Sequence, residues 1–274
     1  MLRSMYSGVS GMRGFQVKLD VIGNNIANVN TVGFKAGRVM FKDILSQTTS
    51  GVTPPGDGTQ GGVNAKQIGL GVTVGTIDTI HTPGSAMTTN VVTDLRIDGD
   101  GFFAVKSSEE QEAPYLTRAG NFTLDANRFL VNGDGMYVLN SDGDQIQLEE
   151  TVTAFSIGQD GSIIAVNADG TSAPTDDKIG IAMVTNPAGL EKIGGNLYRN
   201  TPNSNADGDN EELYTANDTA SGTGAVISGQ LEMSNVDLTN EFTEMIVAQR
   251  GFQANSRIIT TSDEILQEVV NLKR

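Results

Sequence analysis

VDLTNEFTEMIVAQRGFQANSRIITTSDEILQEVVNLKR, Val236 to Arg274, contains no proline and a single glycine, Gly251. Read in heptads, Leu238, Met245, Phe252, Ile259 and Leu266 recur at one seam position, and Phe242, Gln249, Ser256, Asp263 and Val270 at the other. Ile246, Ile265, Val269 and Leu272 broaden that stripe beyond a strict two-residue seam. Asp237, Glu241 and Glu244 open the run while Lys273 and Arg274 close it, both placements that favour the helix dipole. The spacing predicts one long helix whose second seam position is largely polar.

The N-terminus carries its counterpart. Met5, Met12, Leu19 and Ile26 repeat every seven residues, Leu2 and Val9 fill the paired position before Gln16 and Gly23 interrupt it, and Tyr6, Phe15 and Ile22 widen the stripe. Gly8, Gly11, Gly14 and Gly23 each cost a helix about 1 kcal/mol relative to alanine. A helix over residues 1–28 therefore needs a partner along its length, and the first three glycines leave a smooth strip for close approach. Asn28, Asn30, Thr31 and Gly33 stop it. The two ends are expected to pair as a coiled-coil-like terminal domain, residues 1–30 with 236–274.

Between them the pattern changes. Residues 31–67 read as a linker or extended connector, with 48–63 (TTSGVTPPGDGTQGGV) a flexible loop. From 68 to 235, short β-type runs such as Phe102-Phe103-Ala104-Val105 and Ser162-Ile163-Ile164-Ala165-Val166 alternate with Asn-Gly or Asp-Gly pairs at 132–133, 134–135, 142–143, 160–161 and 169–170. That is the mark of successive hairpins and predicts an antiparallel, β-rich outer domain. A mobile loop is expected near 201–224 and a last strand at 225–232. The fold class is α+β, mainly β.

Composition narrows the chemistry. The 274 residues include no cysteine and one histidine, which removes disulfides, thiolate metal sites and thiol nucleophiles and leaves no two-histidine site. His81 reads as an ordinary strand or loop residue. The net charge of −15 resides in the middle of the chain, with 26 acids against 11 bases, while residues 1–28 are net +2 and 236–274 net −2. Such a surface disfavours nucleic acid and anionic membrane. No run of 18 apolar residues is present, and the N-terminus lacks the apolar core of a cleaved signal peptide.

No site motif withstands scrutiny. Asp98-Gly99-Asp100-Gly101 begins like a calcium loop, but Phe102 and Phe103 fall where an oxygen ligand and a glycine are required. Asp142-Gly143-Asp144 fails in the same way. No phosphate-binding loop, dinucleotide fingerprint or nucleophile elbow occurs. The acid pairs Glu109-Glu110, Glu149-Glu150 and Asp176-Asp177 sit in polar contexts suited to a solvated surface rather than to a glycosidase dyad. No catalytic, cofactor or metal residue is expected; the competing class is an enzyme such as a secreted hydrolase acting through paired carboxylates, and the lack of any polar constellation beyond turns argues against it.

Two long stretches resemble one family. Ser7 to Lys35 (SGVSGMRGFQVKLDVIGNNIANVNTVGFK) is similar to the signature of bacterial flagellar rod and hook proteins, including Asn24, Asn25, Asn28, Asn30, Gly33 and Phe34. Ser234 to Arg274 resembles the matching C-terminal motif, and DLRIDGDGFFAV with YLTRAGNFTLDANRFLVNGDGMYVLN resembles the family's β-domain. The resemblance implies a non-enzymatic, extracellular subunit of the flagellum, exported by the flagellar type III apparatus without a cleaved signal. It further implies helical self-assembly beneath a hook cap, with rod and hook–filament junction proteins as partners and no nucleic acid. The assembly interface would comprise Leu2, Met5, Val9, Met12, Phe15, Leu19, Ile22 and Ile26 together with Leu238, Phe242, Met245, Gln249, Phe252, Ile259, Leu266 and Val270. Met245 to Arg250, Val270 to Arg274 and Gln67 to Val72 look hook-like, whereas the short chain is rod-like. A compact hook protein is the favoured reading; a distal rod protein is the alternative, and a secreted binding module the third.

Overall fold

A computed structural model describes residues 2–54, 61–108, 111, 113–150, 152–167, 171–205 and 213–272. The Leu2 side chain, Glu109-Glu110, Asp169-Gly170, Lys273 and Arg274 lie outside the described residues. The architecture is α+β and mainly β, with a long helix at each end. It divides into two compact units: 1–27, 37–79 and 237–274 form the first, and 28–36 with 80–236 the second.

In the first unit, α1 (Leu2–Ala27) and α2 (Leu238–Asn271) form an antiparallel pair. At 1.5 Å per residue they are about 39 Å and 51 Å long. Asp237 caps α2: its Oδ1 accepts from the Thr239 amide at 2.9 Å, and its Oδ2 accepts from Asn240 Nδ2 at 2.8 Å.

The remainder of this unit corrects the expected connector. Residues 37–79 form one long antiparallel ribbon, in which β1 (Gly37–Asp43) pairs with β4 (Val72–Thr79) and β2 (Ser46–Ser50) pairs with β3 (Lys66–Gly69). Hydrogen bonds from Ile44 N to Gly71 O and from Leu70 N to Leu45 O join the two pairs, and a Thr53–Val63 bridge extends the ribbon outward. The stretch 48–63 is thus paired on both flanks; residues 55–60 lie outside the described part. Its Thr and β-branched content is strand chemistry, but the paired residues, from Thr48 with Gln67 to Thr53 with Val63, are 10 to 19 positions apart, beyond the reach of a tight-turn signal.

The second unit is built from the predicted hairpins. Its main sheet runs in the order 191–194, 197–199, 115–117, 102–106, 137–138, 130–131, 123–124, and Gly180–Ala182 bridges Phe102–Lys106 to Leu213–Thr215. A three-stranded meander (152–157, 162–167, 172–178) turns with Gly161 at φ 76°. The strand expected at 225–232 is two short strands, Ala225–Ser228 and Gln230–Glu232, pairing with Leu95–Asp98 and Ala86–Thr88. The core packs Phe103, Val105, Phe122, Ile146, Ile179 and Ile181 against one another. Leu213–Thr215 and the buried Ser204 show that the stretch 201–224 is built into the unit on both sides of residues 206–212, which lie outside the described part.

Candidate assembly surface

α1 and α2 approach closely because glycine on each helix receives a side chain from the other. A Cβ on Gly11 would stand 2.8 Å from Asn255 Nδ2, and one on Gly251 would stand 2.6 Å from the Phe15 ring. Gly8 lies against Asn255 and Ile259, whereas Gly14 packs beneath Phe41 of β1, and Gly23 meets nothing. The glycine strip therefore serves two neighbours: α2 first, then the ribbon.

This close approach sets the register. Met245, Ile259 and Leu266 are half-buried, as the first seam position requires, while Leu238 and Phe252 at the same position are more exposed. The second position lies one residue earlier than the heptad reading placed it, at Glu241, Ala248, Asn255 and Ser262; Phe242, Gln249, Asp263 and Val270 are exposed. Small or hydrogen-bonded residues fit the tight side. Ala248 is fully buried, and Ser262 Oγ donates to the Ile258 carbonyl at 2.7 Å.

On α1, Ile22 is buried and Met5, Val9, Met12, Phe15, Leu19 and Ile26 are half-buried. Lys18 forms an ion pair with Glu244 of α2. Asn25 is a buried polar residue of α1. Its Nδ2 donates to Gly37 O at 2.8 Å and to Glu241 Oε1 at 3.1 Å, and its Oδ1 accepts from the Gly37 amide at 2.9 Å. One side chain thereby ties α1 to both β1 and α2. Burial raises the Glu241 pKa, and the Asn25 hydrogen bond opposes that rise.

The other motif residues have separate roles. Asn28 closes the turn after α1, accepting at its Oδ1 from Thr31 Oγ1 at 3.1 Å and at its carbonyl from the Thr31 amide at 3.1 Å. Gly33 adopts φ 69° with a virtual Cβ 2.6 Å from the Ala119 amide, so no other residue fits. Phe34 is buried beneath Lys192, whose ammonium lies 4.2 Å from the ring centroid. Asn24 and Asn30 are exposed.

Next to Phe34 stands a buried ionic network that local pattern does not reveal. Lys35 and Glu232 are each 1% exposed and pair at 2.5 Å; Arg118 Nη1 joins Glu232 at 3.3 Å. Lys35 also donates to Thr82 O at 2.8 Å, Gly84 N donates to Glu232 Oε1 at 2.9 Å, and Arg118 Nη2 donates to Gly99 O at 2.9 Å. Burial lowers the pKa of both Lys35 and Arg118, and the Glu232 carboxylate opposes it. Such a network holds the 28–36 and 229–235 segments to one geometry. A lysine and a glutamate nearly two hundred residues apart carry no mutual signal in a single sequence.

The first unit leaves much apolar surface uncovered. On α2, Phe242, Ile246, Val247, Phe252, Val269 and Val270 are exposed, and Leu272 is 85% exposed. On the ribbon, Ile44, Leu45, Val52, Val63, Ile68 and Ile77 are exposed. A two-stranded ribbon with apolar side chains facing water is marginal by itself.

Three family models match the chain: a flagella basal body rod protein model over residues 5–35, a flagellar hook protein FlgE/F/G D1 domain over 96–165, and a flagellar basal body rod FlgEFG protein C-terminal model over 227–272. The flagellar basal-body rod protein FlgG of Bacillus subtilis is 57% identical over 275 residues, covering all of both chains. The chain belongs to the flagellar rod/hook family. FlgG of Borreliella burgdorferi is 36% identical over 276 residues, again covering both chains fully, while the flagellar hook protein FlgE of the same organism is 29% identical across an alignment of 452 residues. Members of this family are structural components of the flagellum rather than enzymes. The comparisons favour the rod alternative over the hook reading preferred from the sequence. No helix among the described residues is long and apolar enough to cross a membrane.

Proposed function

We propose that the chain is a distal rod subunit that self-assembles into a helical shaft through its first unit. The observation carrying this reading is the full-length match to rod proteins of nearly the same length. Hook relatives align only across much longer spans. The uncovered apolar surface of α2 and the ribbon supplies the physical drive, because neighbouring copies would bury residues such as Phe242, Ile246, Leu45 and Ile68 at roughly 25 cal/mol per Å². Of the interface residues read from the two heptads, the exposed Leu238, Phe242, Gln249, Phe252 and Val270 belong to this surface in the shaft, whereas buried Ile22 and the half-buried Met245, Ile259 and Leu266 serve the helix pair within one copy. Heterologous contacts between copies that do not close give a helix rather than a ring.

Its neighbours would be further copies and the adjoining rod and hook proteins. Hook–filament junction proteins and the hook cap belong to the alternative hook reading. Export through the flagellar type III apparatus without a cleaved peptide suits glycine-weakened α1, which gains its order on packing. Electron microscopy of basal bodies from cells lacking the chain tests the assignment. A rod that ends short supports it; a complete rod lacking only the hook reverses it in favour of the hook protein.

A further inference from the structure

α1 and α2 differ in length, and the excess lies at one end. Gly8 lies against Asn255 and Ile259, and Phe15 against Gly251, so the antiparallel register places the start of α1 opposite about residue 264 of α2. The last two turns of α2 therefore run past the described side chains of α1. They present Ile265, Val269 and Val270, all exposed, on adjacent turns, and the C-cap residue Leu272 is exposed beyond them.

The same unit contains a groove of about 410 Å³ between α1 and the ribbon. Tyr6, Arg13 and Val17 form its helical wall, and Ile44, Leu70 and Val74 its strand wall. Tyr6 is 74% exposed, a large aromatic left beside an apolar trough.

Charge identifies the occupant. The first 17 residues carry Arg3 and Arg13 and no acid, whereas residues 263–272 carry Asp263, Glu264 and Glu268 and no base, ahead of Lys273 and Arg274. Among the described residues, Arg3, Arg13, Glu264 and Glu268 are exposed and in no ion pair, although the two ends share one helix pair. The two ends of the helix pair thus offer surfaces of opposite charge to solvent.

We propose that the last two turns of α2 of one copy seat in the groove between α1 and the ribbon of the next. Val269 and Val270 enter among Tyr6, Val17 and Leu70, and Glu264 and Glu268 meet Arg13 at the rim, a helix-in-groove contact. Knob and groove are different surfaces of the same chain, so each copy offers one of each and the contact is heterologous, the kind from which a helical shaft is built. This inference rests on the self-assembly reading and specifies one of its interfaces.

The absence of cysteine makes the contact directly testable. Tyr6 lies opposite about residue 258, so Tyr6 and Val270 of one molecule are separated by roughly 18 Å along the axis. A disulfide spans at most about 7 Å between Cα atoms, so a chain carrying Tyr6→Cys and Val270→Cys can cross-link only between copies. Oxidised basal bodies should give a ladder of multimers on a non-reducing gel, and either single variant should give none above a dimer. Assembled shafts that yield no ladder, or dimers alone, overturn this contact and leave the self-assembly reading standing. A chain present as one copy per basal body overturns the self-assembly reading itself.

A charge exchange covers the case in which the cysteines impair assembly. Arg13→Glu and Glu268→Arg should each reduce the number of shafts per cell about tenfold, since each places like charges across the contact. The double variant should recover most of that loss. A double variant no better than the singles overturns the contact.

Discussion

The two units of this chain meet water differently. In the second, Phe103, Val105, Ile179 and Ile181 are inaccessible, and even its buried charges are paired. In the first, α2 and the ribbon present leucine, isoleucine, valine and phenylalanine to solvent along most of their length. A unit with a closed apolar core is a folded object, even with a few residues such as Val91 and Ile193 at its surface. A unit whose apolar groups are half covered is one side of an interface. The second unit therefore has the character of a closed domain, and the first that of the surface through which assembly is proposed.

The strongest test of that contrast is Glu232→Ala. It would leave Lys35 and Arg118 buried without their carboxylate and should destabilise the second unit by about 3–5 kcal/mol. Urea denaturation followed by tyrosine fluorescence checks it; an unchanged midpoint would mean that the network contributes nothing to folding. Next is Gly11→Leu, which drives a side chain into Asn255 and should cost the helix pair about 1–3 kcal/mol. Hydrogen exchange should show lost protection in α1 and α2 while the second unit is unaltered, and equal losses in both units would dissolve the distinction between them.

A smaller effect comes from pH. Burial, followed by the charges of Lys35, Arg118 and Lys192, lowers the His81 pKa to about 4, against roughly 6.5 in an unfolded chain. A depressed folded value means that the unfolded state binds the proton first. The His81 contribution to stability is therefore complete above about pH 6.5 and is lost as pH falls toward 4. The melting temperature of the second unit should decline across that window, and His81→Gln should flatten the decline; an identical slope in the variant would assign the loss to carboxylates.

The smallest expected effect on the monomer is that of Phe242→Asp. Phe242 is half exposed, so the substitution should alter unfolding free energy by no more than about 0.5 kcal/mol. Basal bodies should nevertheless fail to incorporate the variant. Normal incorporation would remove Phe242 from the assembly surface and limit the interface to the remainder of α2.

Much of this was legible from local pattern. Heptads at 2–26 and 238–266 mark both helices because each side chain reports its own helical phase, and Asp-Gly pairs mark hairpins because few residues other than glycine accept positive φ. The second seam position was less accessible. Phe242 and Glu241 are equally valid partners for Met245 on an isolated helix, and only the glycines of α1, opposite Asn255, select the tighter register.

The sequence by itself determined two long helices, a glycine-weakened first one, a hairpin-built middle and an acidic mid-chain composition. Each arises from the conformational preference or charge of residues close together in the chain. Tertiary structure alone decided that 37–43 pairs with 72–79, that Asn25 joins α1 to β1 and α2, and that Lys35, Arg118 and Glu232 meet in the interior. Those contacts join residues whose separation along the chain bears no relation to their separation in space. Their energies exist only once closure of the intervening chain has been offset by burial, which no local preference encodes.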